Sequence, residues 1–213
     1  MHLIHRGIVN KSYRENILKS FKASFKKGYG IETDIHATKD QKFVCFHDFT
    51  LIRSFKKKWS IKDMQYSKIS NISTLNKKPI PLLKDLLNAS KNKYPLFIEI
   101  KPTFSKKLLK KLLHETSKFS KCIFISFRHK NIYNLLKLNS KSKVGLSFSP
   151  NTSIKKIIKK SNNKKINCLI LDKFFLQNKK INNLKIKKYF YTIKTKSEFK
   201  KYSKNYNLIF ENL

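Results

Sequence analysis

Short apolar runs alternate along the chain with longer segments in which apolar residues recur every three or four positions. The short runs predict strands, and the longer segments predict amphipathic helices with a lysine-rich outer face. Nine strands are predicted, at residues 3–5, 30–36, 43–47, 95–100, 122–127, 143–148, 166–171, 188–193 and 207–210. The clearest helices are predicted at residues 12–26, 80–90, 105–119 and 131–138.

Strands that alternate with helices form parallel sheets whose outside is covered by the helices. Eight such units make a closed (β/α)8 TIM barrel, and 213 residues are near the minimum length for one. Because nine runs are available for eight barrel strands, one run lies outside the barrel or is not a strand. No linker or internal repeat interrupts the chain, so residues 1–213 are expected to form a single domain. Residues 54–78 break the alternation and predict a long loop insertion with a single helical turn.

Composition excludes several classes of protein. Hydrophobic residues make up 40% of the chain, which is too many for a wholly disordered protein. The longest apolar runs fall far short of the ~18 residues of a membrane-spanning helix, and the N-terminus lacks the layout of a signal peptide. Cys45, Cys122 and Cys168 each lie in an apolar run. They predict buried, reduced thiols and a cytoplasmic location.

The chain carries 49 basic and 12 acidic residues, which gives a net charge of +37. Such a charge attracts anionic partners, including nucleic acid, phosphate esters and anionic lipid. Only four basic residues are arginines, although arginine is the preferred residue for contacts with bases and phosphates. We therefore expect the lysines mainly to form a solvated surface, without specific nucleic-acid binding. The helix predicted at 105–119 has two interpretations, a weak contact with an anionic membrane surface or, as favoured here, an outer barrel helix.

Three of the scarce carboxylates lie inside apolar strand runs. Glu32 and Asp34 are two positions apart in one run and so face the same side, and Glu99 lies in the run at 95–100. A buried carboxylate is costly unless it meets a cation or a basic side chain. Three such oxygen donors suit a hard divalent cation, Mg²⁺ or Ca²⁺. The alternative is that each carboxylate pairs with a lysine or an arginine.

Two histidines end predicted strands, His5 in the first run and His47 in the third. The carboxyl ends of barrel strands are where barrel active sites form. Two histidines beside three carboxylates suit acid and base catalysis on a phosphate ester held by a metal. Arg6 and Lys101 each follow one of these candidates within two positions, and each could bind a phosphate oxygen.

These residues, in this order, resemble the glycerophosphodiester phosphodiesterase family. Its His-Arg-Gly, Glu-x-Asp, His-Asp and Glu-Ile-Lys motifs are matched by His5-Arg6-Gly7, Glu32-Thr33-Asp34, His47-Asp48 and Glu99-Ile100-Lys101. Weaker matches are Arg14-Glu15-Asn16-Ile17 for Pro-Glu-Asn-Thr, Leu51-Ile52-Arg53 for Leu-x-Arg, Pro81-Leu82-Leu83 for Pro-x-Leu, and Ser126-Phe127 for Ser-Phe. The resemblance is specific over residues 3–101 and thin afterwards.

The resemblance implies a (β/α)8 barrel that hydrolyses glycerophosphodiesters to glycerol 3-phosphate and an alcohol. It implies His5 and His47 as general acid and base, Glu32, Asp34 and Glu99 as metal ligands, and Arg6 and Lys101 as phosphate-binding residues. Phe127 and Tyr191 are candidates for the substrate pocket, since Tyr191 replaces the tryptophan of a late Trp-Thr-Val-Asn motif. The family's closing Thr-Asp-x-Pro is absent, where the sequence reads Phe210-Glu211-Asn212-Leu213.

Two alternatives stay open from the sequence. One is a lysophospholipase D-like enzyme of the same superfamily, whose activity would depend on lipid vesicles. The other is a non-catalytic basic protein that binds nucleic acid or another anion on a barrel scaffold. The expected partner is a small glycerophosphodiester, and its alcohol, the identity of the metal and the oligomeric state are left open.

Overall fold

The computed structural model describes residues 1–211, so that Asn212 and Leu213 of the closing segment lie outside the described residues. Eight parallel strands form a closed barrel with helices on its outside, as predicted. The barrel strands are β1 (Leu3–His5), β2 (Gly30–Ala37), β4 (Leu96–Ile100), β5 (Cys122–Ser126), β6 (Val144–Phe148), β7 (Cys168–Asp172), β8 (Lys187–Ile193) and β9 (Asn207–Phe210), and β3 is Phe43–Cys45. Because β1 pairs with both β2 and β9, the sheet closes on itself.

The run that lies outside the barrel is the third one, which forms β3. The Thr38 amide donates to the Lys42 backbone oxygen at 2.9 Å and closes a tight turn, and so short a connection joins antiparallel strands only. The expectation that His47 ends a barrel strand is therefore wrong. The segment after β3 runs back along β2, where the Phe46 amide donates to the backbone oxygen of Asp34 at 3.0 Å. This return carries His47 to the level of the carboxylates on β2.

The helices are α1 (Leu18–Lys26), α2 (Ile52–Phe55), α3 (Tyr66–Leu75), α4 (Leu83–Ser90), α5 (Lys106–Glu115), α6 (His129–Leu138), α7 (Ile154–Ser161), α8 (Lys179–Asn182) and α9 (Lys196–Tyr202). The first predicted helix begins later than expected, because the Asn10 side chain holds the preceding segment in a turn by accepting from the Ser12 and Tyr13 amides. Among residues 1–211, no helix is both long enough and apolar enough to cross a membrane.

The helix predicted at 105–119 forms α5, whose first turn is capped by the Ser105 hydroxyl. Leu109 and Leu112 on its inner face are completely buried against the barrel. These leucines belong to the core, as expected for an outer barrel helix, so only the lysines of α5 remain for the alternative of a weak contact with an anionic surface.

The expectation of a long loop with one helical turn at 54–78 is wrong. This insertion contains part of α2, a 3-10 turn at Ile61–Asp63 and the ten-residue helix α3. Its scattered apolar residues form a second small core, in which Ile61 and Ile69 are fully buried against Val44 and Phe46. The sequence pattern did not reveal these elements because their apolar residues pack on the β3 segment rather than on the barrel.

Alternate residues of the barrel strands face inward. The lower interior is apolar and includes Leu3, Phe97, Tyr189 and Ile209. At the carboxyl end the inward positions become polar, since Glu32 and Glu99 follow on the same faces. The strand alternation therefore places charged side chains at one end of an otherwise apolar interior.

Candidate active site

The nine residues singled out from the sequence all line one cavity of about 210 Å³ at the carboxyl end of the barrel. They are His5, Arg6, Glu32, Asp34, His47, Glu99, Lys101, Phe127 and Tyr191. Ile125, Ile170 and Ile209 also line the cavity. The apolar interior of the barrel thus limits the water around the charged groups above it.

Three carboxylates form the centre of the cavity. Glu32, Asp34 and Glu99 each offer an oxygen within 4.8 Å of the others, and all three residues are buried. Within residues 1–211, Glu32 Oε2 and Asp34 Oδ2 are buried and accept no hydrogen bond. Unpartnered carboxylate oxygens in a buried site are costly, so this cluster has unused capacity to bind a cation.

Two basic side chains border the carboxylates. Lys101 Nζ lies 3.3 Å from Asp34 Oδ1 and 3.1 Å from Glu99 Oε1, and Arg6 Nε lies 3.2 Å from Asp34 Oδ2. The alternative that basic residues satisfy the carboxylates therefore holds for Asp34 and Glu99 in part. It does not hold for Glu32, whose nearest basic group is His5 Nε2 at 3.7 Å.

The three acids of the cluster differ in the direction in which their pKa values are shifted. Burial, followed by repulsion from Asp34 and Glu99, raises the pKa of Glu32 well above its usual value. Burial and Asp34 raise the pKa of Glu99 to about 7. Burial alone would raise the pKa of Asp34 as well, but Arg6 and Lys101 outweigh it and lower that pKa. Asp34 is thus the stable anion of the cluster. Too little positive charge lies near Glu32 and Glu99 to stabilise their ionised forms to the same extent.

Each histidine has a carboxylate on its Nδ1 atom. His5 Nδ1 lies 2.9 Å from Glu211 Oε2, and His47 Nδ1 lies 2.7 Å from Asp48 Oδ1. A carboxylate accepts, so Nδ1 carries the proton in both rings and Nε2 is left to react. Burial, which exceeds the opposing effect of Asp34, lowers the pKa of His47.

A chain of ion pairs links the surroundings of the two histidines. Asp48 accepts from Arg53 Nε at 2.6 Å, Arg53 also donates to Glu15, and Glu15 accepts from Arg6 Nη1 at 2.9 Å. No role was predicted for Glu15, Asp48 or Arg53, although all three lie in matched motifs. Nothing in the sequence indicated a role for Glu211, because its contact with His5 joins residues that are 206 positions apart.

The aromatic candidates form one wall of the cavity. The rings of Phe127 and Tyr191 meet edge to face with centroids 5.9 Å apart, and the Tyr191 hydroxyl donates to the backbone oxygen of Phe148 at 2.9 Å. This bond fixes the tyrosine ring, while Phe127 remains 41% exposed at the mouth. The wall is apolar and rigid on its inner side and open to solvent at its rim.

Fold and cavity together define a (β/α)8-barrel protein whose carboxyl end holds a buried acidic cluster between two oriented histidines. Residues 5–205 match the model of the glycerophosphoryl diester phosphodiesterase family, and the chain belongs to that family. A glycerophosphodiester phosphodiesterase of Caldanaerobacter subterraneus subsp. tengcongensis is 29% identical over 161 residues, covering 68% of this chain. The match spans 65% of that relative, so this chain covers just under two thirds of its length.

Solved structures share the fold. A glycerophosphodiester phosphodiesterase from Thermotoga maritima superposes with a TM-score of 0.82 at 22% identity, covering 98% of this chain and 92% of that one. A phosphodiesterase from Oleispira antarctica, in complex with sn-glycerol-3-phosphate, superposes with a TM-score of 0.83 at 19% identity, covering 98% and 91%. At these identities the likeness establishes the barrel fold.

Proposed function

We propose that this chain is a metal-dependent phosphodiesterase that hydrolyses glycerophosphodiesters to glycerol 3-phosphate and an alcohol. The observation that carries the proposal is the convergence of three carboxylates, two basic side chains and two oriented histidines on one cavity. Family membership and the name of the Caldanaerobacter relative support the same activity. The product held by the Oleispira protein is the one expected here.

A divalent cation fits the carboxylate cluster. Glu32, Asp34 and Glu99 would hold it, since they are all-oxygen donors of the kind that Mg²⁺ and Ca²⁺ prefer. A cation would also bind the two buried oxygens, Glu32 Oε2 and Asp34 Oδ2, that accept no hydrogen bond from residues 1–211. When bound, the ion would supply Lewis-acid stabilisation of negative charge on the phosphate oxygens.

Arg6 and Lys101 would complete the phosphate-binding site. When all three carboxylates are ionised, the two positive charges of Arg6 and Lys101 do not balance them, and the cavity then repels an anionic diester. A divalent cation reverses the sign of the net charge. Arg6 and Lys101 side chains are each about one-sixth exposed at the cavity surface, 16% and 15% respectively, so a bound phosphate could reach them.

His5 and His47 would move the protons. One Nε2 atom accepts the proton of the nucleophile, which is water or the 2-hydroxyl of the substrate's own glycerol. The other Nε2 atom donates a proton to the alcohol oxygen as its bond to phosphorus breaks. If the 2-hydroxyl attacks, a cyclic phosphate forms first, and water then opens it with the two histidines in exchanged roles.

The remaining sequence expectations belong to this proposal. We take residues 1–213 as one catalytic domain, and a cytoplasmic location is supported by three buried free thiols at Cys45, Cys122 and Cys168. Burial raises the pKa of each thiol, which keeps it unreactive.

The direct test measures glycerol 3-phosphate release from glycerophosphocholine, with and without EDTA. Asp34→Asn should abolish both release and the rise in melting temperature caused by Mg²⁺ or Ca²⁺. The matched control is Asp172→Asn, which changes an acid at the end of β7 that lies outside the cluster. Full activity in EDTA, or an Asp34→Asn variant that melts and reacts like the wild type, would contradict the proposal.

The histidine roles are separated by the leaving group. His5→Ala and His47→Ala should each reduce the rate on glycerophosphocholine by ~10²–10⁴-fold. A p-nitrophenyl phosphodiester, whose leaving group needs no proton, should restore activity to the variant that lacks the acid. The variant that lacks the base should stay inactive. Near wild-type rates for both variants on glycerophosphocholine would show that neither histidine transfers a proton.

A further inference from the structure

The exposed apolar side chains of this protein are concentrated on one face. Among residues 1–211, seven large hydrophobic side chains are exposed, and none lies on a helix that covers the barrel wall. Five of the seven follow strands or turns at the cavity end: Phe49, Ile52, Trp59, Phe127 and Phe174. Scattered exposed apolar residues are ordinary, but the grouping of five of the seven at the cavity end of the barrel indicates a surface that contacts something apolar.

Three of these residues stand in one hairpin that leaves the cavity directly after His47. Leu51 donates its amide to the Trp59 backbone oxygen at 3.0 Å, and Ile61 donates to that of Phe49 at 3.1 Å. These bonds hold Phe49, Ile52 and Trp59 on one folded segment. The Phe49 ring also meets the buried His36 ring edge to face, at 5.0 Å between centroids, which anchors the hairpin to β2.

Phe127 and Phe174 lie at the same end of the barrel, after the strands β5 and β7. Phe127 directly follows β5 and lines the cavity itself, and Phe174 follows β7 by two positions and is 73% exposed. Asp172 fixes the turn before Phe174 by accepting from its amide at 2.8 Å. The carboxyl ends of parallel barrel strands share one edge, so these residues lie on the same face as the hairpin.

Cationic side chains accompany the apolar ones. Lys57 and Lys68 lie over the Trp59 ring, with Nζ atoms 5.5 Å and 4.3 Å from its centroid. Exposed Lys58 precedes the tryptophan, and exposed Arg128 follows Phe127. Tryptophan and phenylalanine beside lysine are the side chains that settle at the headgroup level of a bilayer, and the lysines are attracted to anionic lipid.

We propose that this rim docks the mouth of the cavity on an anionic lipid surface, so that phosphodiesters carried in that surface reach the site directly. The rim consists of five exposed apolar residues, Phe49, Ile52, Trp59, Phe127 and Phe174. The substrate consequence rests on the proposed function, whereas docking itself does not. The contact differs from the one predicted for the lysines of α5, because α5 lies on the outer wall of the barrel.

The chain provides its own probe, because Trp59 is its only tryptophan. Vesicles of phosphatidylcholine with phosphatidylglycerol should shift the tryptophan emission to shorter wavelength, and brominated acyl chains should quench it. Pure phosphatidylcholine vesicles should bind on the order of tenfold more weakly, since the lysines lose their counter-charge. An unchanged emission on saturating anionic vesicles would overturn the proposal.

Matched variants locate the contact. Lys57→Gln with Lys58→Gln, and separately Ile52→Ser with Phe174→Ser, should weaken vesicle binding by about tenfold or more. Lys107→Gln with Lys110→Gln removes the same charge from α5 and should change binding by less than about twofold. An equal loss of vesicle binding in the α5 variant would place the lipid contact on the outer wall and would contradict docking through the rim. Circular dichroism and melting curves confirm that each variant is folded.

Two further arms complete the test. A single-stranded oligonucleotide that causes the same emission shift, and competes with vesicles at equal charge, would assign the rim to stacked bases instead of lipid. Lysophospholipid in anionic vesicles should be hydrolysed at least about tenfold faster by the wild type than by the Ile52→Ser, Phe174→Ser variant, with equal rates on dissolved glycerophosphocholine. Binding without any hydrolysis would reject the proposed function and leave docking standing.

Discussion

Carboxylates in the cavity act in two physically different ways. Burial, and then the like charges of Asp34 and Glu99, raise the pKa of Glu32 and make its ionised form destabilising. Glu211 lies at the edge of the cavity, where the hydrogen bond from His5, and also Lys194, lower its pKa to about 2 against the opposing effect of burial. The ionised form of Glu32 therefore destabilises the protein until a cation binds. Glu211, by contrast, stays ionised and orients the ring of His5.

Glu32→Gln should stabilise the metal-free protein. A carboxyl whose pKa is raised on folding contributes stability only at low pH, and that contribution is lost as the pH rises from about 4.5 through the folded pKa. In EDTA at pH 8 the variant should therefore melt a few degrees above the wild type, and at pH 4 the difference should vanish. Mg²⁺ or Ca²⁺ should no longer raise its melting temperature.

The exposed Asp63 provides the control for this prediction, since Asp63→Asn removes one charge from a side chain that is 67% exposed. Differential scanning calorimetry at both pH values measures the effect. A Glu32→Gln variant that melts below the wild type at pH 8 in EDTA would show that the Glu32 charge is compensated in the native protein.

Glu211→Gln should slow catalysis without weakening substrate binding. Glu211 contacts the ring of His5 and does not itself line the cavity, so its loss should lower kcat about 10–100-fold and leave KM nearly unchanged. Glu211→Asp should recover part of the rate. Glu198→Gln is a suitable control, because Glu198 pairs with Lys173 outside the cavity. Equal effects of Gln and Asp, or a change confined to KM, would contradict an orienting role.

At the scale of elements, the insertion after β3 acts as a small folded unit. Its apolar residues share a separate core with Val44 and Phe46, and Phe46 is the residue that precedes His47. The packing of α3 therefore supports the segment that delivers one of the two histidines. This explains why an insertion of low apolar content adopts a defined structure.

Ile69→Ala should destabilise the protein through this core. The side chain is completely buried, and removing it leaves a cavity that costs about 2–5 kcal/mol. Leu75→Ala on the same helix should change the free energy of unfolding by less than about 0.5 kcal/mol, because Leu75 is 83% exposed. Urea denaturation measures both values. Similar losses for the two variants would mean that α3 does not pack as described.

At the scale of the whole molecule, arginine and lysine have different uses. Three of the four arginines are engaged at the site: Arg6 and Arg53 in the ion-pair chain, and Arg128 through its bond to the Lys101 backbone oxygen at 3.0 Å. Their planar donors suit such fixed geometry. The lysines cover the outer helices, where most of them face solvent.

Nucleic-acid binding should therefore be weak and governed by charge alone. We expect the affinity for duplex DNA to fall by several powers of ten between about 50 and 200 mM salt, without preference for sequence. Titrations of labelled duplexes of different sequence measure this. Tight binding that persists at high salt, or that discriminates between sequences, would favour the non-catalytic alternative.

Local patterns along the chain were sufficient to predict the barrel and most of its site. Strands that alternate with helices predicted a parallel sheet, and about eight such units predicted the barrel, while side-chain parity predicted that Glu32 and Asp34 share a face. The motifs around His5 and His47 resemble those of the family, and the proposed chemistry follows from that resemblance. These features depend on residues close in sequence, which is why they could be predicted from the sequence alone.

Tertiary structure decided what depends on distant residues. The short turn before β3 removed the third run from the barrel, and the insertion folded because a separate apolar surface was available. The contact of Glu211 with His5 exists only because β9 closes against β1, and the chain from Arg6 through Glu15 to Arg53 joins three separate loops. Contacts of this kind form where folding brings charges together, and no local spacing encodes them.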